Sequence, residues 1–212
     1  GFDGDPAAAT GFAAKPADKR TFPGGAEAWA SLYAAAGTTL PETRVATTLT
    51  GEAGPPYFNS GVVFTTQPAR LGAAWIECAR TLNPILETRG QRHWLDQVAL
   101  PIAVRRCGLD YACLGDEFNF PAHLKPLPED LPVFCHYHWP EVIAGEPRLR
   151  ERVRALAARH AELRAAIAAD AEWAPLLRES SWRSGHARDI DAGELSALLI
   201  ASAQPRLLNE LV

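Results

Sequence analysis

Tyr57-Phe58-Asn59-Ser60-Gly61-Val62-Val63-Phe64 is an apolar and aromatic run with a polar step near its start. Eight such residues predict a buried β-strand, and polar groups inside an apolar strand need partners. Before it, a loop from Pro41 to Pro56 follows a helix over residues 26 to 36, with Trp29, Leu32 and Tyr33 at helical spacing. Earlier still, Ala7-Ala8-Ala9-Thr10-Gly11-Phe12-Ala13-Ala14 reads as a buried strand closed by Lys15-Pro16.

After the run, residues 68 to 88 predict a helix around Leu71, Trp75, Ala79 and Leu82, and residues 93 to 106 another that opens at His93-Trp94-Leu95-Asp96-Gln97. Segment 109 to 120 reads as strand and loop ending in Phe118-Asn119-Phe120. Val133-Phe134-Cys135-His136-Tyr137-His138-Trp139 reads as a short strand closed by Pro140. Leu149, Val153, Leu156, His160, Leu163 and Ile167 then repeat in steps of four and three, the seam of a pairing helix that should dock against the domain or a second copy, with His160 on the buried stripe. Alternating strands and helices predict an α/β sheet flanked by helices over residues 1–145, with a helical appendix over 146–212.

The 21 basic and 25 acidic residues leave a net charge of -4, without the cationic surface that nucleic acid requires. No apolar run is long enough to span a bilayer. Four cysteines without C-x-x-C spacing read as reduced, which favours the cytoplasm. The chain has no methionine and opens on Gly1-Phe2-Asp3, so it is expected to be a piece of a longer protein.

Three motifs can carry chemistry. In Asn59-Ser60-Gly61 an amide, a hydroxyl and a glycine that permits close approach suit the recognition of sugar hydroxyls, or else form a capped strand start. Asp96-Gln97 in the first turn of a helix either stabilises that helix start or presents an anion to an oxocarbenium-like transition state. His136 and His138 share a face of a strand and could meet one metal or one diphosphate, or else pack one ring and solvate the other. No His-Glu-x-x-His or other dense ligand cluster points to a hydrolytic metal site.

In this order and spacing, Phe58-Asn59-Ser60-Gly61, a Trp-containing helix, Asp96-Gln97, Phe118-Asn119 and an aromatic strand with His136 resemble glycosyltransferase family 8, which includes glycogenin and bacterial galactosyltransferases. The resemblance covers residues 7 to 140. It implies a glycosyltransferase A-type mixed sheet and transfer of a sugar, with retention, from a nucleoside diphosphate donor to a glycan or other hydroxyl acceptor. It also implies a divalent cation, usually manganese.

On that pattern Asn59, Ser60 and Gly61 line the sugar site with Asn119. Asp96 contacts the donor sugar, and Gln97 sits beside the anomeric carbon. His136 joins an Asp-x-Asp pair on the metal. That pair is expected before Gly1, with Asp3 and Asp5 as the nearby alternative. The family's Gly and Lys-Pro-Trp run is absent, and His138 stands where it would meet the diphosphate. Asn59, Asp96, Gln97 and His136 are therefore expected to converge on one cleft. The alternative is a non-catalytic module of the same fold that binds carbohydrate or protein.

Overall fold

The computed structural model describes residues 10–137 and 139–177. They divide into two compact units, the first ending at Asn119 and the second beginning at Phe120.

The first unit is a small mixed sheet flanked by helices. Its strands are β1 (Gly11–Pro16), β4 (Phe58–Thr65) and β5 (Asp110–Cys113), in the order β4-β1-β5. Central β1 pairs antiparallel with β4 and parallel with β5. The register with β4 is irregular: Ala14 lies opposite Val63, but Pro16 lies opposite Phe58. Three extra residues of β4 therefore bulge beside Lys15, and bulges are common next to active sites, where they re-aim side chains.

Alternation along a strand sends successive side chains to opposite faces. Phe12 and Ala14 face helices α1 (Ala26–Ala35), α2 (Pro68–Thr88) and α3 (Leu95–Arg106), in a core that also holds Phe58, Trp29, Leu82 and Leu100. Ala13 lies in a smaller cluster with Leu114, Phe64 and Phe118. Edge-to-face rings knit the helix side: Phe12 on Phe58 at 5.4 Å, Phe22 on Trp29 at 5.1 Å and Trp29 on Tyr57 at 5.7 Å. Such pairs add about 0.5–1.5 kcal/mol each beyond their buried area. Helix α3 is apolar nearly all round, and Val98 through Val104 are all buried, as befits a helix enclosed by its neighbours.

Two local expectations are corrected here. Lys15 does not close β1 but lies within it, fully buried. The loop before Tyr57 contains a hairpin, β2 (Val45–Ala46) against β3 (Ala53–Gly54). Arg20 fixes it by donating to the Val45 and Pro55 carbonyls at 2.9 and 3.1 Å. A Cβ on Gly54 would lie 2.2 Å from Arg20 Cζ, so glycine is what admits the guanidinium.

The second unit holds β6 (Phe120–Pro121), β7 (Cys135–His136) and helices α4 (Pro140–Gly145), α5 (Pro147–Arg159) and α6 (Ala161–Ala169). The expected strand over 133 to 139 shrinks to Cys135–His136, parallel to β6, with Val133 left exposed.

The expected pairing helix breaks at His160, whose backbone is extended (φ -123°, ψ 101°). A continuous rod from Leu149 to Ile167 would span about 27 Å at 1.5 Å per residue and carry Ile167 away from the cluster of Ile143, Leu149 and Leu176. The break lets α6 and the turn Ala174–Leu177 pack back on α5. The stripe itself is as expected: Leu149, Leu156 and Ile167 are buried, and His160 is half-buried.

Candidate functional site

The carboxyl ends of parallel β1 and β5 and the amino end of antiparallel β4 meet at one edge of the first sheet. That edge is where open α/β sheets bind ligands. Asn59 and Ser60 start β4 there, both buried.

Ser60 Oγ donates to Asp96 Oδ2, joining β4 to the first turn of α3 across 36 positions of sequence. Trp75 Nε1, on α2, donates to the Asp96 carbonyl at 3.0 Å. Asp96 is thus held from the strand and from a second helix, while the α3 N-terminus favours its negative charge by about 0.3–1 kcal/mol. Asp96 and Gln97 are both half-buried, so the pair is anchored yet not sealed. Tyr57, just before β4, bonds Thr21 Oγ1 through its hydroxyl at 2.9 Å. Burial pushes that phenol up to about 12; the Thr21 bond opposes the shift and the Asp96 carboxylate adds to it. Tyr57 is therefore a neutral wall of the site.

Ser60 shares the helix side of β4 with Phe58, so alternation puts Asn59 on the other face. Asn59 Oδ1 accepts from the Gly61 backbone N–H at 3.0 Å, which organises the bulge. Asn119 is 2% exposed, and its Nδ2 has no hydrogen-bond partner.

The strongest polar feature of this edge escaped the sequence reading. Lys15 Nζ pairs with Asp18 and lies 3.0 Å from Asp116 Oδ1. Asp18 also accepts from Thr48 Oγ1 at 2.8 Å, and its carbonyl receives the Leu49 N–H at 3.1 Å. A lysine inside Phe12-Ala13-Ala14-Lys15 was the available signal, because a charge in a buried strand must be paired.

His136 belongs to the second unit, on β7, with its ring 5.3 Å from that of His123. His123 Nδ1 lies 3.4 Å from the His136 carbonyl, and its ring is 6.3 Å from Trp139, which is 59% exposed. His123 also lines an open cleft of about 310 Å³ with Lys125, Glu141 and Glu146. Among the described residues no group of three or more His, Cys, Asp or Glu is placed to hold a metal ion. Two imidazoles without a carboxylate are a weak set for a manganese-class ion. Asp3, Asp5 and His138 lie outside the described residues.

No helix among the described residues is long and apolar enough to cross a membrane. No curated protein and no solved structure matches the chain. Residues 5–108, just under half of the chain, match the family model of a Rhodobacterales glycosyltransferase domain. The match is to that domain and not to family 8 specifically, and it takes in β1, β4, Asn59, Ser60, Asp96 and Gln97. It supports reading the chain as a glycosyltransferase.

Proposed function

We propose that the chain serves a retaining glycosyltransferase that moves a hexosyl group from a nucleoside diphosphate donor to a glycan or other hydroxyl acceptor. The observation that carries this is the Ser60–Asp96 bond, which fixes a carboxylate at the ligand-binding edge of the sheet within the segment matched as a glycosyltransferase domain.

Asp96 is oriented by Ser60 and by the Trp75 bond to its backbone, and its charge stabilises the positive anomeric carbon as the leaving group departs. Gln97 offers a neutral amide beside it. Neither group is a strong base for the acceptor hydroxyl, so the departing diphosphate takes that proton. Asn59, Gly61 and the unpartnered Asn119 amide bind sugar hydroxyls, and His138 meets the diphosphate. A divalent cation of the manganese class belongs to the proposal, with His136 as one ligand and carboxylates outside the described residues as the others; when bound it offsets diphosphate charge. The cytoplasm is the proposed compartment, in keeping with four free cysteines.

A glycosyl transfer assay across a manganese titration tests the reading. Asp96→Asn is expected to lower kcat by about 10²-fold with donor KM nearly unchanged. His136→Ala is expected to raise the manganese requirement. Unchanged turnover in Asp96→Asn removes Asp96 from the reaction.

The exposed Trp139 ring beside His123 favours a second reading, a carbohydrate-binding module that stacks a sugar there without catalysis. Glycan binding indifferent to metal and nucleotide, and lost in Trp139→Ala, would select it.

A further inference from the structure

Lys15 is 0% exposed, and its two ion-pair partners differ in kind. Asp18 is almost as buried and is spent on structure, since it also holds the loop at Thr48 and Leu49. One such carboxylate suffices to compensate a buried ammonium. The side chain of Asp116 is 35% exposed. It is supplied by the turn Asp116–Phe118, just beyond the carboxyl end of β5. A carboxylate has about four lone-pair sites. Lys15 holds it from the interior side and fixes its orientation, while its outer side still reaches solvent.

Location and neighbours give that outer side a use. Ala13 and Lys15 alternate onto the face of the sheet away from α1, α2 and α3, where Phe118 packs. Asn59 falls on the same face by alternation in β4. Three residues after Asp116 in the same turn, Asn119 carries a buried amide nitrogen with no partner. Leaving such a donor unsatisfied is costly unless a ligand oxygen completes it.

We propose that Asp116 is a sugar-hydroxyl-binding carboxylate of the transfer site, with Lys15 as its positioning residue. The turn then offers an acceptor at Asp116 and a donor at Asn119, the complement of neighbouring ring hydroxyls. A carboxylate repels phosphate, so the ligand class here is the neutral sugar and not the diphosphate. This rests on the glycosyl-transfer reading. The transferred sugar of the donor and a sugar acceptor present the same chemistry.

Calorimetric titration of the full chain with UDP, UDP-glucose, UDP-galactose, methyl β-glucoside and methyl β-galactoside separates these sources. The wild-type chain is expected to bind a UDP-sugar more tightly than UDP, or a glycoside saturably. Asp116→Asn is expected to weaken that sugar-dependent affinity by about tenfold while UDP affinity stays put. Loss confined to the UDP-sugars assigns the donor sugar, and loss confined to the glycosides assigns the acceptor. Lys15→Met should produce the same loss, and the double variant no more than either alone, whereas a merely structural lysine would lower the Tm and leave the Asp116→Asn effect undiminished. If Lys15→Met does not fold, Asp116→Asn alone decides. Sugar affinities within about twofold of wild type in Asp116→Asn overturn the proposal. A wild-type chain that binds neither nucleotide nor sugar overturns the glycosyl-transfer reading and this proposal with it.

Discussion

In the unit that ends at Asn119, burial extends to polar side chains: Lys15, Asp18, Thr47, Asn59, Ser60 and Asn119 are all buried there. Among the described residues of the unit that begins at Phe120 no polar side chain is buried, and Leu124, Val133 and Trp139 are exposed. The difference follows from architecture. A sheet covered by three helices shields much of its edge from water and can hold charges in fixed directions. Short helices around a cluster of three buried residues cannot. Preorganised polar chemistry needs the first kind of enclosure, which is where the Ser60–Asp96 bond and the Lys15 ion pairs are found.

The largest test of that contrast is a pair of cavities. Phe58→Ala, in the ring-packed core, should cost about 3–5 kcal/mol in urea unfolding, whereas Ile143→Ala should cost about 2 kcal/mol because half-buried neighbours can close on it. Equal losses would mean the second unit is packed as tightly as the first.

Alkaline titration sharpens the comparison. Burial raises the Cys135 thiol to about 11 and the Tyr137 phenol to about 12 in the second unit, and Tyr57 to about 12 in the first. Above its ordinary value each group has lost its proton in the unfolded chain but keeps it when folded. The native state then binds more protons, so stability falls as pH rises. Both units should begin to weaken from about pH 9, the second through Cys135 and the first through Cys78 and Cys113, whose thiols burial also raises, with the tyrosines adding to the loss from about pH 10. Cys135→Ala should remove the early loss from the second unit alone, and Tyr57→Phe should lessen the later one in the first, where burial raises Tyr33 and Tyr111 as well. Stability of the second unit that holds level from about pH 9 to 11 would show the Cys135 assignment to be wrong.

The smallest effect concerns helix starts. Glu146 accepts the Arg148 N–H at 3.1 Å and caps α5, whereas α1, α2 and α3 have no side-chain cap. Glu146→Ala should cost about 1 kcal/mol. Gln67→Ala, at the start of α2, should stay within about 0.5 kcal/mol. A chemical-denaturation series checks both, and a comparable loss at Gln67 would show that the sheet unit also depends on its caps.

Periodicity made the long elements legible. The helix over residues 68 to 88 was readable to its ends because Leu71, Ala79 and Leu82 mark one buried face and Pro68 opens it. The hairpin at Val45 and Ala53 was not, since strands of two residues have no period to detect. Nor was the break at His160: the four-three spacing is the same whether a helix runs on or folds back. In the candidate site, Ser60 and Asp96 could be named from their residue types and the resemblance, but their bond spans elements far apart in sequence. Lys15 was hidden for the opposite reason, because a lysine followed by proline reads as the end of a strand until its two carboxylates are seen.

The bulge opposite Lys15 constrains how this segment can evolve. Two steps along β1, from Ala14 to Pro16, are matched by five along β4, from Val63 back to Phe58. Five is odd, so simple alternation would oppose Phe58 and Val63, and it is the bulge that lets both pack toward the helices. Losing or gaining a single residue between Ser60 and Val63 would make the step count even, so that plain alternation would put Phe58 and Val63 on one face without the break in alternation that the bulge supplies. The length of this stretch, more than the identity of its side chains, decides whether β4 bulges beside Lys15.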